Sequence, residues 1–91
     1  HEALAQRIVV RYHMAALTRE ELSGYLAHRL RLATAEVPLF DPSAEEAIYQ
    51  ATGGLPRRIN LLAHHTLLAA ALTRAKLATA DHVQAALPEV S

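Results

Sequence analysis

A small all-α protein, four helices packed as one bundle, is the fold class this sequence predicts, and three observations predict it. Alanine and leucine dominate the apolar residues while aromatic residues make up only 4%, a composition that favours helix over sheet. Helix-start chemistry recurs along the chain, in Thr18-Arg19-Glu20-Glu21, in Asp41-Pro42 and at Pro56. Between these starts, apolar residues return at three- and four-residue steps. With 91 residues there is material for one modest core.

The segment from His1 to Leu17 departs from this pattern. Glu2 to Arg7 is compatible with helix, with Leu4 and Ile8 on a shared face, but Ile8-Val9-Val10-Arg11-Tyr12-His13-Met14 is β-branched and partly alternating, and reads as a strand. A single strand has nothing to pair with, so the sequence suggests a short strand-like stub cut from a larger unit whose sheet is missing; a frayed tail or a continuous helix is the alternative. From Thr18 the first helix is predicted to run to about Ala35, stopping before Pro38, with Leu22, Tyr25, Leu26, Leu30 and Ala33 on its buried face and Arg29 snorkelling beside them.

Val37 to Phe40 reads as an apolar connector. Asp41 then caps a short second helix with Pro42 at its first position, although Ser43-Ala44-Glu45-Glu46 offers a competing capping box. Ala44, Ala47, Ile48 and Ala51 share a face, and Gly53-Gly54 ends the helix. The third helix is predicted from Pro56 to about Ala75. Its apolar residues point in nearly every direction around the axis, the mark of a central, buried helix. A fourth helix follows, capped by Thr79 or Asp81, with Val83, Ala86 and Leu87 facing inward and Pro88 closing it.

Nine basic and nine acidic residues give zero net charge, which implies no bulk attraction to nucleic acid or membrane. Cysteine is absent, so disulfides and thiolate metal sites are excluded and an intracellular, cytoplasmic setting is expected. No apolar stretch is long enough to span a bilayer, and the N-terminus lacks a signal-peptide layout. No membrane contact is expected. Six histidines are present, but none are paired at the four-residue ligand spacing on one helix, and His64 and His65 should diverge around theirs; no metal site is expected. The sequence supports no hydrolase triad and no catalytic residue.

The stretch Gly53-Gly54-Leu55-Pro56-Arg57-Arg58-Ile59-Asn60 carries the anomaly. Two arginines occupy the first turn of a helix, where the macrodipole is already positive and acidic residues are the usual choice. A bound anion reverses that penalty, since free backbone N–H groups with flanking guanidinium groups suit phosphate. The alternative is that both arginines are solvated or paired with carboxylates elsewhere. Asn60 and His64 continue the Arg57 stripe, while Arg58 points about a quarter turn away, towards an interface or solvent. Helix, glycine turn and arginine-led helix also satisfy a helix-turn-helix description, so an independent DNA-binding module is a second reading; neutral charge and the apolar circumference of the third helix oppose it.

In this order and spacing the segments resemble the C-terminal helical lid of AAA+ ATPases. Leu4-Ala5-Gln6-Arg7-Ile8, Arg11-Tyr12-His13, Leu17-Thr18-Arg19-Glu20-Glu21, His28-Arg29-Leu30 and Gly54-Leu55-Pro56-Arg57-Arg58-Ile59-Asn60-Leu61-Leu62 look like the ExeA type, which includes secretion ATPases and the similar TniB or TnsC-like transposition helpers. The resemblance implies a small AAA+ lid bundle over 18–91 and a remnant of the ATPase core domain over 1–17. It implies that Arg57 is the sensor 2 residue reaching the γ-phosphate of ATP, supported by Gly54, Pro56 and Asn60, and that Arg7 is a candidate arginine finger acting across a subunit boundary. ATP and Mg2+ are the implied cofactors, held by the missing core. Implied partners are that core, further copies of the parent in a homo-oligomer, and either double-stranded DNA with a transposase or secretion-system components. These residues contain no Gly-x-x-x-x-Gly-Lys-Ser/Thr loop, so they are not expected to hydrolyse ATP alone.

Overall fold

Residues 16–32 and 38–90, the part of the chain that the computed structural model describes, form four helices and one pair of two-residue strands. The strand-like stub expected over Ile8–Met14 lies outside the described residues.

Helix α1, Arg19–Arg31, starts at the predicted capping box: the Glu21 N–H donates to Thr18 Oγ1 at 3.1 Å and the Thr18 N–H to Glu21 Oε1 at 2.8 Å. Leu22 and Leu26 are buried on it and Arg29 is exposed. The helix closes at Arg31 with Leu32 as its C-cap, short of the expected Ala35; residues 33–37 are not described.

Strand β1, Leu39–Phe40, replaces the expected connector and pairs in parallel with β2, Leu77–Ala78, Leu39 opposite Leu77 and Phe40 opposite Ala78. Two residues are too few to show alternation, which is why the sequence reads them as linkers. Helix α2, Pro42–Thr52, uses Asp41 as its cap, Oδ1 accepting the Ala44 N–H at 2.8 Å. The competing box is unused because Ser43 is engaged otherwise: its hydroxyl donates to Asp41 Oδ1 at 2.7 Å and accepts the Ala80 N–H at 3.0 Å, tying the starts of two helices together. Ala44 and Ile48 are buried as expected. Ala51 is exposed, and Thr52 takes the inward position instead. The Thr52 hydroxyl stays satisfied, donating to the Ile48 carbonyl at 2.7 Å and accepting the Gly54 N–H at 3.2 Å.

Helix α3, Pro56–Leu72, corrects the expectation of an all-round buried helix. Ile59, Leu62, Thr66 and Ala70 are buried, but Leu61 and Leu68 are each 47% exposed and Leu72 86%. Three neighbouring helices in a domain this small cover only one side of it, and α4 is its principal neighbour. The helix ends before the expected Ala75, where Arg74 takes a left-handed φ of 57°.

Helix α4, Ala80–Val90, follows a compact junction. The Thr79 N–H donates to His82 Nδ1 at 3.0 Å, and His82 Nε2 lies 3.1 Å from Thr73 Oγ1, joining the end of α3 to the start of α4. Pro88 does not close the helix, which continues to Val90. In the last turn a proline removes a single intrahelical bond, so the helix passes through it.

The core gathers Leu17, Leu22, Leu26, Ile48, Ile59, Leu62 and Val83 with small Ala44 and Ala86 between them. Each large side chain so buried contributes about 1.5–3 kcal/mol before entropy is charged against it.

Candidate functional site

Pro56 opens α3 and Leu55 offers no side-chain cap, so this helix start has neither a capping oxygen nor an acidic residue in its first turn. The other three helices each carry an acidic residue there: Glu20 and Glu21 on α1, Glu45 on α2, Asp81 on α4. Arg57 and Arg58 are both exposed and make no ion pair or side-chain hydrogen bond among the described residues. The dipole and two guanidinium groups therefore stack positive charge, and no carboxylate among the described residues pairs with either arginine.

Two glycines set the angle at which the helix leaves. Gly53 (φ 64°) and Gly54 (φ 83°) both occupy the left-handed region. At Gly54 a second demand applies: an added Cβ would collide with the Leu17 carbonyl oxygen and lie 3.1 Å from the Leu17 nitrogen. The Leu17 N–H donates to the Gly54 carbonyl at 2.7 Å, and the Leu17 side chain is buried.

Asn60, one turn past Arg57, is half-buried, and its Oδ1 accepts the Tyr25 hydroxyl proton. It fastens α3 to α1. His64 is exposed further along, and its ring meets that of His65 edge to face at 5.2 Å, so these two do not diverge as expected. Two hollows flank the start of α3. One, about 270 Å³, lies between Arg58, Leu61, Leu62, Leu87 and Val90; the other, about 130 Å³, lies between Arg29, Phe40, Asn60 and Leu67. Both fall below the roughly 300–1,000 Å³ typical of small-molecule sites.

The structure thus brings Gly54, Pro56, Arg57 and Asn60 together at one end of α3 and turns Arg58 towards the α4 side. Arg7 lies outside the described residues. Sequence reading missed the Leu17–Gly54 contact and the Tyr25–Asn60 bond. The second had a signal: a tyrosine on a buried stripe needs a partner for its hydroxyl.

No protein-family model matches the chain, and no solved structure does. The chain is similar to General secretion pathway protein A of Aeromonas hydrophila, with 40% identity over 67 residues. That alignment covers 74% of this chain and 12% of the relative, so the chain spans about an eighth of the relative's length. Among the described residues, no helix is long and apolar enough to cross a membrane and no three histidine or carboxylate groups converge as a metal site.

Proposed function

We propose that this chain is the helical lid of an ExeA-type AAA+ ATPase and that Arg57 is its sensor 2 residue, reading the γ-phosphate of ATP held on a core domain. The observation that carries this reading is the start of α3: two arginines, unpaired among the described residues, on an uncapped, acid-free helix end that follows a double-glycine turn. Such an end suits a polyphosphate, and losing the terminal phosphate removes a charge-assisted contact and changes the preferred lid angle. The 40% identity to a secretion-pathway protein supports the ExeA type and favours the secretion setting over the transposition helpers. Secretion-system components are then expected as partners rather than double-stranded DNA and a transposase.

In this reading ATP and Mg2+ belong to the core domain, and the lid supplies Arg57, with Gly54 and Pro56 setting its direction and Asn60 holding the helix behind it. Arg7 keeps its proposed role as a finger across the subunit boundary of a cytoplasmic homo-oligomer. The independent DNA-binding alternative is disfavoured, because the exposed side of α3 presents Leu61, Leu68 and Leu72 where a recognition helix needs polar groups.

The first test is titration calorimetry of this chain with ATP. Binding no tighter than about millimolar is expected, since a helix end and one arginine make part of a site. Micromolar affinity would instead mean a complete nucleotide site within these residues.

A further inference from the structure

The backbone that leads into α1 is locked onto the turn that launches Arg57. Leu17 donates its N–H to the Gly54 carbonyl at 2.7 Å, and its side chain is 3% exposed within the core cluster. Gly54 is the only residue type that permits this approach, because any Cβ would collide with the Leu17 carbonyl oxygen while the φ of 83° already excludes ordinary side chains. From the other side, the Gly54 N–H is held by the Thr52 hydroxyl at 3.2 Å, and that hydroxyl is anchored on the Ile48 carbonyl at 2.7 Å. Both polar groups of the Gly54 backbone are therefore committed, one to the entering segment and one to α2. Arg57 follows three residues later, with only Leu55 and the φ-fixed Pro56 between.

We propose that residues 16–18 act as a clamp regulating the Arg57 site: a displacement of the entering segment is transmitted through the Leu17–Gly54 bond to the first turn of α3. The regulatory sense rests on the reading of Arg57 as a phosphate ligand; the mechanical coupling does not. Leu17 supplies both halves of the device, an apolar anchor in the core and a backbone donor to the turn. Only two residues separate clamp and arginine: Leu55, whose N–H donates to the Thr52 carbonyl at 3.3 Å, and Pro56, whose φ is fixed, so a shift of the segment has a short path to Arg57.

Amide hydrogen exchange and ¹⁵N resonance mapping on this chain test the clamp. In the wild type the Leu17 amide should exchange about 100-fold slower than an unstructured amide, although it lies outside α1. Leu17→Ala, which keeps the donor but removes the anchor, should abolish most of that protection and shift the Arg57, Arg58 and Ile59 amides, while those of Leu72 to Lys76 at the far end of α3, outside the core cluster that holds Leu17, stay put. Gly54→Ala should do the same more severely. An unprotected Leu17 amide in the wild type, or a Leu17→Ala chain whose Arg57 to Ile59 resonances are unmoved, would overturn the proposal. In a full-length ATPase carrying this lid, Leu17→Ala should change ATP affinity several-fold in the presence of Arg57 and have no further effect in an Arg57→Ala background. Equal effects of Leu17→Ala in both backgrounds would remove the regulatory role. An Arg57→Ala enzyme with wild-type ATP affinity would sink the phosphate reading and leave the clamp itself standing on the exchange data.

Discussion

Arg57 has the profile of a residue kept for something outside the bundle: exposed, unpaired among the described residues, and placed where a cation is locally unfavourable. Replacing it with alanine should change the thermal stability of this chain by less than about 0.5 kcal/mol, as for other surface positions, and calorimetric melting measures it. The α1 residue bonded to Asn60, one turn past Arg57, should behave oppositely. Tyr25→Phe removes the hydroxyl that Asn60 accepts, and a loss of about 0.5–1.5 kcal/mol is expected in denaturant melts. Thr66 is a third case, since its hydroxyl is fully buried with no partner among the described residues. Thr66→Val keeps the shape and removes an unsatisfied polar atom, so stability should be unchanged or raised, by up to about 1 kcal/mol. The sequence marks Arg57 as an anomaly because a local rule is broken there; it places Tyr25 on a buried face without its partner and does not mark Thr66, because both roles depend on which helices meet.

The elements show which rules reach across a sequence and which stop at its neighbours. Capping chemistry is local, so Thr18 and Asp41 start their helices where the residue types indicate. The β1–β2 pair joins residues almost forty positions apart and has no periodic signature, so it was invisible. Pro88 was misjudged because a proline's cost depends on how many helical bonds remain beyond it. The junction at the start of α2 carries a pH signature. Asp41 is held below its ordinary carboxylate value first by the Ser43 hydroxyl and then by the Ala44 N–H. A depressed value in the folded chain means stability that is present above the unfolded value of 3.8 and is lost as pH falls through the folded one. Thermal melts between pH 7 and pH 2 should therefore decline in acid, and Asp41→Asn, which keeps an acceptor at the cap, should flatten part of the decline. Glu46, lowered by Gln50 and then Arg19, accounts for some of the remainder.

At the scale of the whole molecule, the other three described helices cover one side of α3 and leave Leu61, Leu68 and Leu72 exposed along its length. The helical class was legible because it follows from composition and caps, whereas the burial of α3 was not, because an apolar circumference says what a helix tolerates and not what surrounds it. An exposed apolar ridge along α3 is what the proposed lid would present to the rest of an ATPase. The deciding measurement is ATP and ADP affinity in the full-length ATPase for wild type, Arg57→Ala and Arg58→Ala. If Arg57 reads the γ-phosphate, its alanine variant loses a charge-assisted contact of about 1.5–3 kcal/mol, weakening ATP binding roughly tenfold or more while ADP binding is little changed. Arg58→Ala should then leave the preference for ATP intact. An Arg57→Ala enzyme that still distinguishes ATP from ADP as wild type does, beside an Arg58→Ala enzyme that does not, would contradict the assignment.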